Sequence, residues 1–157
     1  AAKPERGGAR AVQVDFYHLT TTPVDRVLPR IAERVLASGG RLLIVADDEG
    51  QRATLDRALW SHTPDSFLPH GLAGGAEGAR QPVLIAPAPA PANGARHIAL
   101  ADGAWREAAL DFDRAFHFFD AQQVEAARQA WRSLAGREEV ERRYWKQDDS
   151  GRWEQAA

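Results

Sequence analysis

The chain has 157 residues, 44% hydrophobic and 27% charged, with no cysteine and a formal net charge of −2. That length suits one domain burying roughly two-thirds of its unfolded surface. The charge excludes bulk electrostatic coating of DNA or an anionic membrane, and the cysteine count excludes disulfides, thiolate catalysis and Cys-ligated zinc.

Residues 1–11 read as a disordered leader, without the apolar core of a signal peptide, and residues 12–157 as a single domain. The chain has no methionine, which points to a processed or artificial start. No apolar run approaches the ~18–20 residues that a bilayer-spanning helix needs. Absent cysteines and membrane segments suit a reducing cytoplasm.

From Val12 to Leu19, apolar Val12, Val14 and Phe16 alternate with Gln13, Asp15 and Tyr17, predicting a first strand. Thr20–Thr22 then offer an N-cap, with Pro23 at the first helical position. Val24, Val27, Leu28, Ile31 and Val35 form an apolar helical stripe, within which Pro29 predicts a kink or a later start. Gly39 and Gly40 end this helix. The run LLIVA at 42–46 has no polar alternation and predicts a strand covered on both faces. Strand, helix and strand form a parallel crossover unit.

Asp47, Asp48 and Glu49 lead into a helix over about 51–61, with Leu55, Ala58 and Leu59 inward. Residues 63–79 read as loop, 83–86 as a third strand and 87–95 as a low-complexity surface loop. A strand at 97–101, a short helix at 105–112 and a strand at 115–119 follow. A last helix from about Ala121 carries Val124, Ala127, Trp131 and Leu134 on one face and stops near Gly136. Residues 137–157 allow either a further helical turn or a hairpin of 144–146 with 152–154. This order predicts an α/β single-domain sandwich, with a mostly parallel or mixed five-stranded sheet flanked by helices: a Rossmann-like topology without a phosphate loop.

Little catalytic chemistry is legible. The turn after the first strand lacks glycine, and the cluster from Gly71 to Gly78 neither follows a predicted strand nor opens a helix. His18, His62, His70, His97 and His117 have no metal-ligand spacing; His18 and His117 fall at strand positions. Asp47, Asp48 and Glu49 read first as a solvated turn that caps the following helix; the alternative is that they hold magnesium or act as acid and base in a small nucleotide- or Mg-dependent enzyme. Neither a metal nor a cofactor is called for by any motif.

Two features point to protein binding. Trp60, Phe67, Leu68 and Leu72 lie in or beside one loop, where they form either a lid on the core or a docking surface. Arg128 and Arg132 share a helical face beside Trp131, with Phe119 close before them in the chain. That face is either an ordinary solvated one or a site for a short acidic peptide with an aromatic end. Direct binding of single-stranded DNA would need a continuous basic groove, which the net charge disfavours.

The strings DFYHL at 15–19, RLLIVADDE at 41–49, LDRALWSHTPDSFLPHGLAG at 55–74, ARQAWR at 127–132 and YWKQDDSGRWE at 144–154 resemble the chi subunit family of bacterial DNA polymerase III. The resemblance covers the chain from Val12 onward. It implies a non-enzymatic α/β adaptor of the clamp-loader assembly that binds the psi subunit and, separately, the acidic, phenylalanine-ended tail of single-stranded DNA-binding protein. The psi-contacting positions fall on Trp60, Pro64, Phe67 and Pro69. In some relatives a helicase-like protein competes with psi around that tryptophan. The tail-binding positions fall on Arg128, Trp131 and Arg132, with Phe119 as apolar wall. Two departures are Arg132 where lysine is common and Trp131 where tyrosine occurs; the segment after Gly136 is also longer.

Overall fold

The structure is a computed structural model that describes residues 11–61, 70–73 and 81–157. The predicted Gly-rich segment beyond Ala73 lies outside them. In chain order the elements are β1 (Val12–His18), α1 (Val24–Ala37), β2 (Leu42–Val45), α2 (Glu49–Trp60), β3 (His70–Leu72), β4 (Val83–Ala86), β5 (His97–Leu100), a 3-10 turn (Glu107–Asp111), β6 (Arg114–Phe119), a second 3-10 turn (Ala121–Gln123), α3 (Val124–Ser133), β7 (Val140–Gln147) and β8 (Trp153–Gln155).

All eight described strands form one sheet in the order β3-β4-β2-β5-β6-β1-β7-β8. Every neighbouring pair is parallel except β7 and β8. β2 and β4 are buried along their whole length, as uninterrupted apolar strands covered on both faces must be. Helices α1 and α2 pack on one face through Leu28, Ile31, Val35, Leu55 and Leu59; α3 packs on the other through Ala127, Ala130 and Leu134. β1 serves both layers, sending Tyr17 to the first and Phe16 to the second.

The class matches the sequence expectation, but the sheet has three strands beyond the five expected. β3 lies within the segment read as loop; it is only three residues long and contains Gly71. Its place is fixed by parallel pairing with β4, not by a local pattern. The other two strands are the tail, where the hairpin alternative is the one that forms, with a first arm extending back to Val140. β7 pairs parallel with β1, from Val12–Val140 to His18–Lys146. Its charged residues sit near the edge of the sheet, where they are tolerated.

Several local expectations are corrected. α1 begins at Val24 behind Pro23, which occupies the N-cap with no side-chain cap bond, so the threonines do not cap it. Pro29 lies inside the continuous helix, buried on its core face. It is the sixth residue of α1, past the four whose N–H groups lack helical partners, so it removes the bond that the Asp25 carbonyl would accept. The 105–112 segment is extended at Arg106 and makes only a 3-10 turn at Glu107–Asp111. The 87–95 loop is not wholly at the surface. Asn93 is buried, its amide donating to the carbonyls of Gln81 at 3.0 Å and Leu42 at 3.3 Å. Gly39 leaves α1 with φ of 85°, a left-handed conformation that glycine adopts without strain. No described helix is long and apolar enough to cross a membrane.

Candidate functional site

The end of α2 carries the first exposed surface. Leu55 and Leu59 turn inward, which leaves Trp60, one residue on, pointing outward with 59% of its surface exposed. Its ring meets His70 of β3 edge-on at 4.9 Å between centroids. His70 is buried, and its Nε2 lies 3.1 Å from Asp56 Oδ1, so α2 and β3 are tied beneath the tryptophan. Leu72 is also exposed, and these two are the exposed large hydrophobics among the described residues. Pro64, Phe67 and Pro69 lie outside the described residues.

The second surface is built on α3. Arg128 and Arg132 are both exposed and both lie 3.9 Å from one carboxylate, Glu125, at the limit of ion pairing. Two guanidiniums thus share a single exposed partner, which leaves the helix face cationic and contributes little to stability. Trp131 is half-buried, its ring edge-on to Phe16 at 5.3 Å and to Tyr144 at 5.6 Å. From β7, Arg142 places its guanidinium 4.1 Å from the Trp131 ring centroid and donates to the Trp131 carbonyl at 2.7 Å. His18, at the end of β1, has its pKa lowered by burial first, then by the charges of Lys146 and Arg128. That shift marks Lys146 as another cation of the neighbourhood.

Phe119 does not form an exposed wall here. Its side chain is fully buried, stacked under His18 at 5.1 Å and edge-on to Tyr144 at 5.8 Å. As the last residue of a central strand it points into the α3-side core, so it supports the patch from below. The half-buried aromatics at the patch are Trp131 and Tyr144.

The carboxyl ends of the parallel strands are where α/β folds commonly hold ligands. Here a hollow of about 420 Å³ is lined by Thr20–Thr22, Asp102, Asp120 and Gln123 among others. The N–H groups of Thr20, Thr21 and Thr22 converge, as they would on a phosphate, but all three donate to Gln147 Oε1 at 3.1, 3.2 and 3.3 Å. Asp48 accepts the Gln51 N–H at 2.8 Å and is the N-cap of α2. The Asp47 N–H donates to Asp102. Burial raises the Asp102 pKa, but hydrogen bonds from Arg106 and from the N–H groups of Asp47 and Ala104 outweigh it and leave the carboxyl below its usual range. Among the described residues no group of three or more His, Asp or Glu is arranged to hold a metal ion. Asp48 of the Asp47/Asp48/Glu49 cluster therefore caps α2, the first of the two roles the sequence left open for these acids.

A family model described as DNA polymerase III chi subunit, HolC, matches residues 12–140. The chain belongs to the DNA polymerase III chi subunit family. Curated relatives agree. The DNA polymerase III subunit chi of Escherichia coli K12 is 43% identical over 63 residues, 40% of this chain and 43% of that protein. That of Haemophilus influenzae is 33% identical over 78 residues, 48% of this chain and 54% of that protein. That of Pseudomonas aeruginosa is 34% identical over 84 residues, 52% of this chain and 58% of that protein. The chain thus spans about half the length of the curated relatives it matches.

In this chi-family chain the sequence reading brings Arg128, Trp131 and Arg132 together on one helix. It keeps Trp60 apart, at the end of α2, which packs on the opposite face of the sheet. Arg142, Lys146 and His18 were missed. Arg142 and Lys146 join the patch only because β7 pairs with β1, and nothing local in the tail announces that pairing.

Proposed function

We propose that this protein is a non-catalytic accessory subunit of DNA polymerase III, working in the cytoplasm as an adaptor. In this reading the Trp60 surface docks the psi subunit, and through it the clamp loader. The α3 patch holds the acidic C-terminal tail of single-stranded DNA-binding protein. A helicase-like protein competing at Trp60 is a further partner that the family resemblance suggests.

The observation that carries the reading is the α3 patch. Among the described residues Arg128 and Arg132 share one ion-pair partner, Glu125, at 3.9 Å, and they flank the half-buried Trp131, over which Arg142 lies. Such an array suits a short chain of carboxylates ending in an aromatic ring. Each charge-assisted hydrogen bond contributes about 1.5–3 kcal/mol, and arginine offers a planar fork for a carboxylate.

The test is titration of the full chain with an acidic peptide ending in phenylalanine, beside the same peptide lacking that residue. Binding is expected to weaken with salt, with loss of the terminal ring, and with Arg128→Ala plus Arg132→Ala. Undiminished binding by the double variant removes the site from α3.

A further inference from the structure

The other face of the sheet carries a second basic surface. A groove of about 1130 Å³ runs between α1, the end of α2 and the β7–β8 hairpin. Six arginines line it, Arg26, Arg30, Arg34, Arg57, Arg114 and Arg152, against a single lining carboxylate, Asp25. Three of them, Arg26, Arg30 and Arg34, recur every four residues along α1, forming one exposed row that climbs about 6 Å per step. Among the described residues none of these three forms an ion pair. Arg114 is different: its guanidinium lies 2.9 Å from the buried Asp15 carboxylate and is neutralised there.

The floor is aromatic. Trp145 stacks over Tyr17 at 6.4 Å and 12° between planes, and Trp153 meets the same ring edge-on at 5.1 Å. Trp145 is further fixed by donation from its indole N–H to Asp15 at 3.1 Å. Both tryptophans are half-buried and line the groove, so each presents ring surface to it. The volume exceeds the roughly 300–1,000 Å³ of small-molecule sites, which points to a segment of polymer.

We infer that this groove binds a short stretch of single-stranded nucleic acid, with phosphates along the α1 arginine row and bases against the Trp145/Trp153 floor. A row of point charges that tracks a backbone, beside ring faces on which any base can stack, is how proteins hold single strands without reading sequence. An acidic peptide without aromatic side chains would use the row but leave the tryptophan floor idle. The net charge of −2 keeps this binding weak and confined to the groove. The inference does not depend on the α3 patch, which lies on the opposite face of the sheet.

The test is fluorescence anisotropy of a labelled oligothymidylate about 16 nucleotides long, at the upper end of single-strand site sizes, titrated with the full chain across a salt series. The three arginines are exposed and lie on a helix, so Arg26→Ala, Arg30→Ala and Arg34→Ala together leave the fold intact, which circular dichroism checks. The wild type is expected to bind at low salt. The triple variant should bind at least tenfold more weakly, with a log–log salt slope shallower by about 2, roughly 0.7 per phosphate contact. The Arg128→Ala/Arg132→Ala variant should bind the oligonucleotide as the wild type does. No binding by the wild type at low salt overturns the inference, as does an unchanged slope in the triple variant. Groove-dependent binding of a polyglutamate probe without binding of the oligonucleotide overturns it in favour of an acidic peptide.

Discussion

Replacing His117 by phenylalanine isolates a pH-dependent component of stability. His117 sits on β6 with its side chain fully buried. Its ring is edge-on to Phe16 at 5.2 Å and to Trp105 at 5.6 Å, and neither ring nitrogen has a hydrogen-bond partner. Burial pushes its pKa from 6.5 down to about 4, with Asp102 raising it slightly and Arg106 lowering it. Between these two values the unfolded chain binds a proton that the folded chain refuses. Stability from this group is therefore full above about pH 6.5 and is lost as pH falls toward 4. Integrating the linkage between those pKa values gives a loss of about 2 kcal/mol on going from neutral pH to about pH 5. Urea unfolding at a series of pH values measures it. His18 and His97 are also lowered by burial and add losses of the same sign, so the informative quantity is wild type minus variant. In His117→Phe, a ring of similar shape removes the titration, and the pH curve should flatten by that amount. Parallel curves for the two proteins would refute the assignment.

Two further perturbations test the architecture. Gln147→Ala leaves three N–H groups of the Thr20–Thr22 turn without their shared acceptor and removes donation to Thr22 Oγ1 at 3.1 Å and Gly151 O at 3.2 Å. Water reaches the exposed threonines, so a destabilisation of about 2–3 kcal/mol is expected in denaturant unfolding, and under about half a kcal/mol would show the Gln147 bonds to be incidental. Trp60→Ala should change stability by less than about 1 kcal/mol, because the ring is 59% exposed, while abolishing co-purification with a psi subunit. A Trp60 variant that unfolds would make the ring a lid on the core and not a docking anchor.

What was legible in the sequence follows the range of the forces involved. LLIV reads as a strand covered on both faces because it lacks polar alternation, and VLIA, read simply as a strand, proves buried in the same way. The α1 stripe and the Gly39 stop are equally local signals. Asp15 misled in a different way. It occupies the polar phase of the β1 alternation yet is fully buried, satisfied by Gln13, Arg114 and Trp145 from 2, 99 and 130 residues away. The Thr20–Thr22 turn looked like a helix cap because its true acceptor, Gln147, lies more than a hundred residues on. The arginine row of α1 was present in the sequence at four-residue spacing, but a net charge summed over the chain conceals it. Its aromatic floor comes from a tail whose pairing only the folded sheet reveals.

β1 is the strand that joins these surfaces and also keeps them apart. Its successive residues face opposite ways, as period two requires. Asp15 and Tyr17 hold Arg114, Trp145 and Trp153 beneath the groove on the α1 side, while Phe16 packs against Trp131 beneath the patch on the α3 side. Between the two lies one continuous sheet, parallel except for its last pair, whose central side chains are fully buried. A close-packed layer of this kind resists deformation, so filling one surface gives the other no differential contact to respond to. Substitutions in the two surfaces share no side-chain partners, and their free energies should add. If both surfaces bind as proposed, the chain holds two polyanionic ligands at once without making either conditional on the other, as a passive connector between them requires.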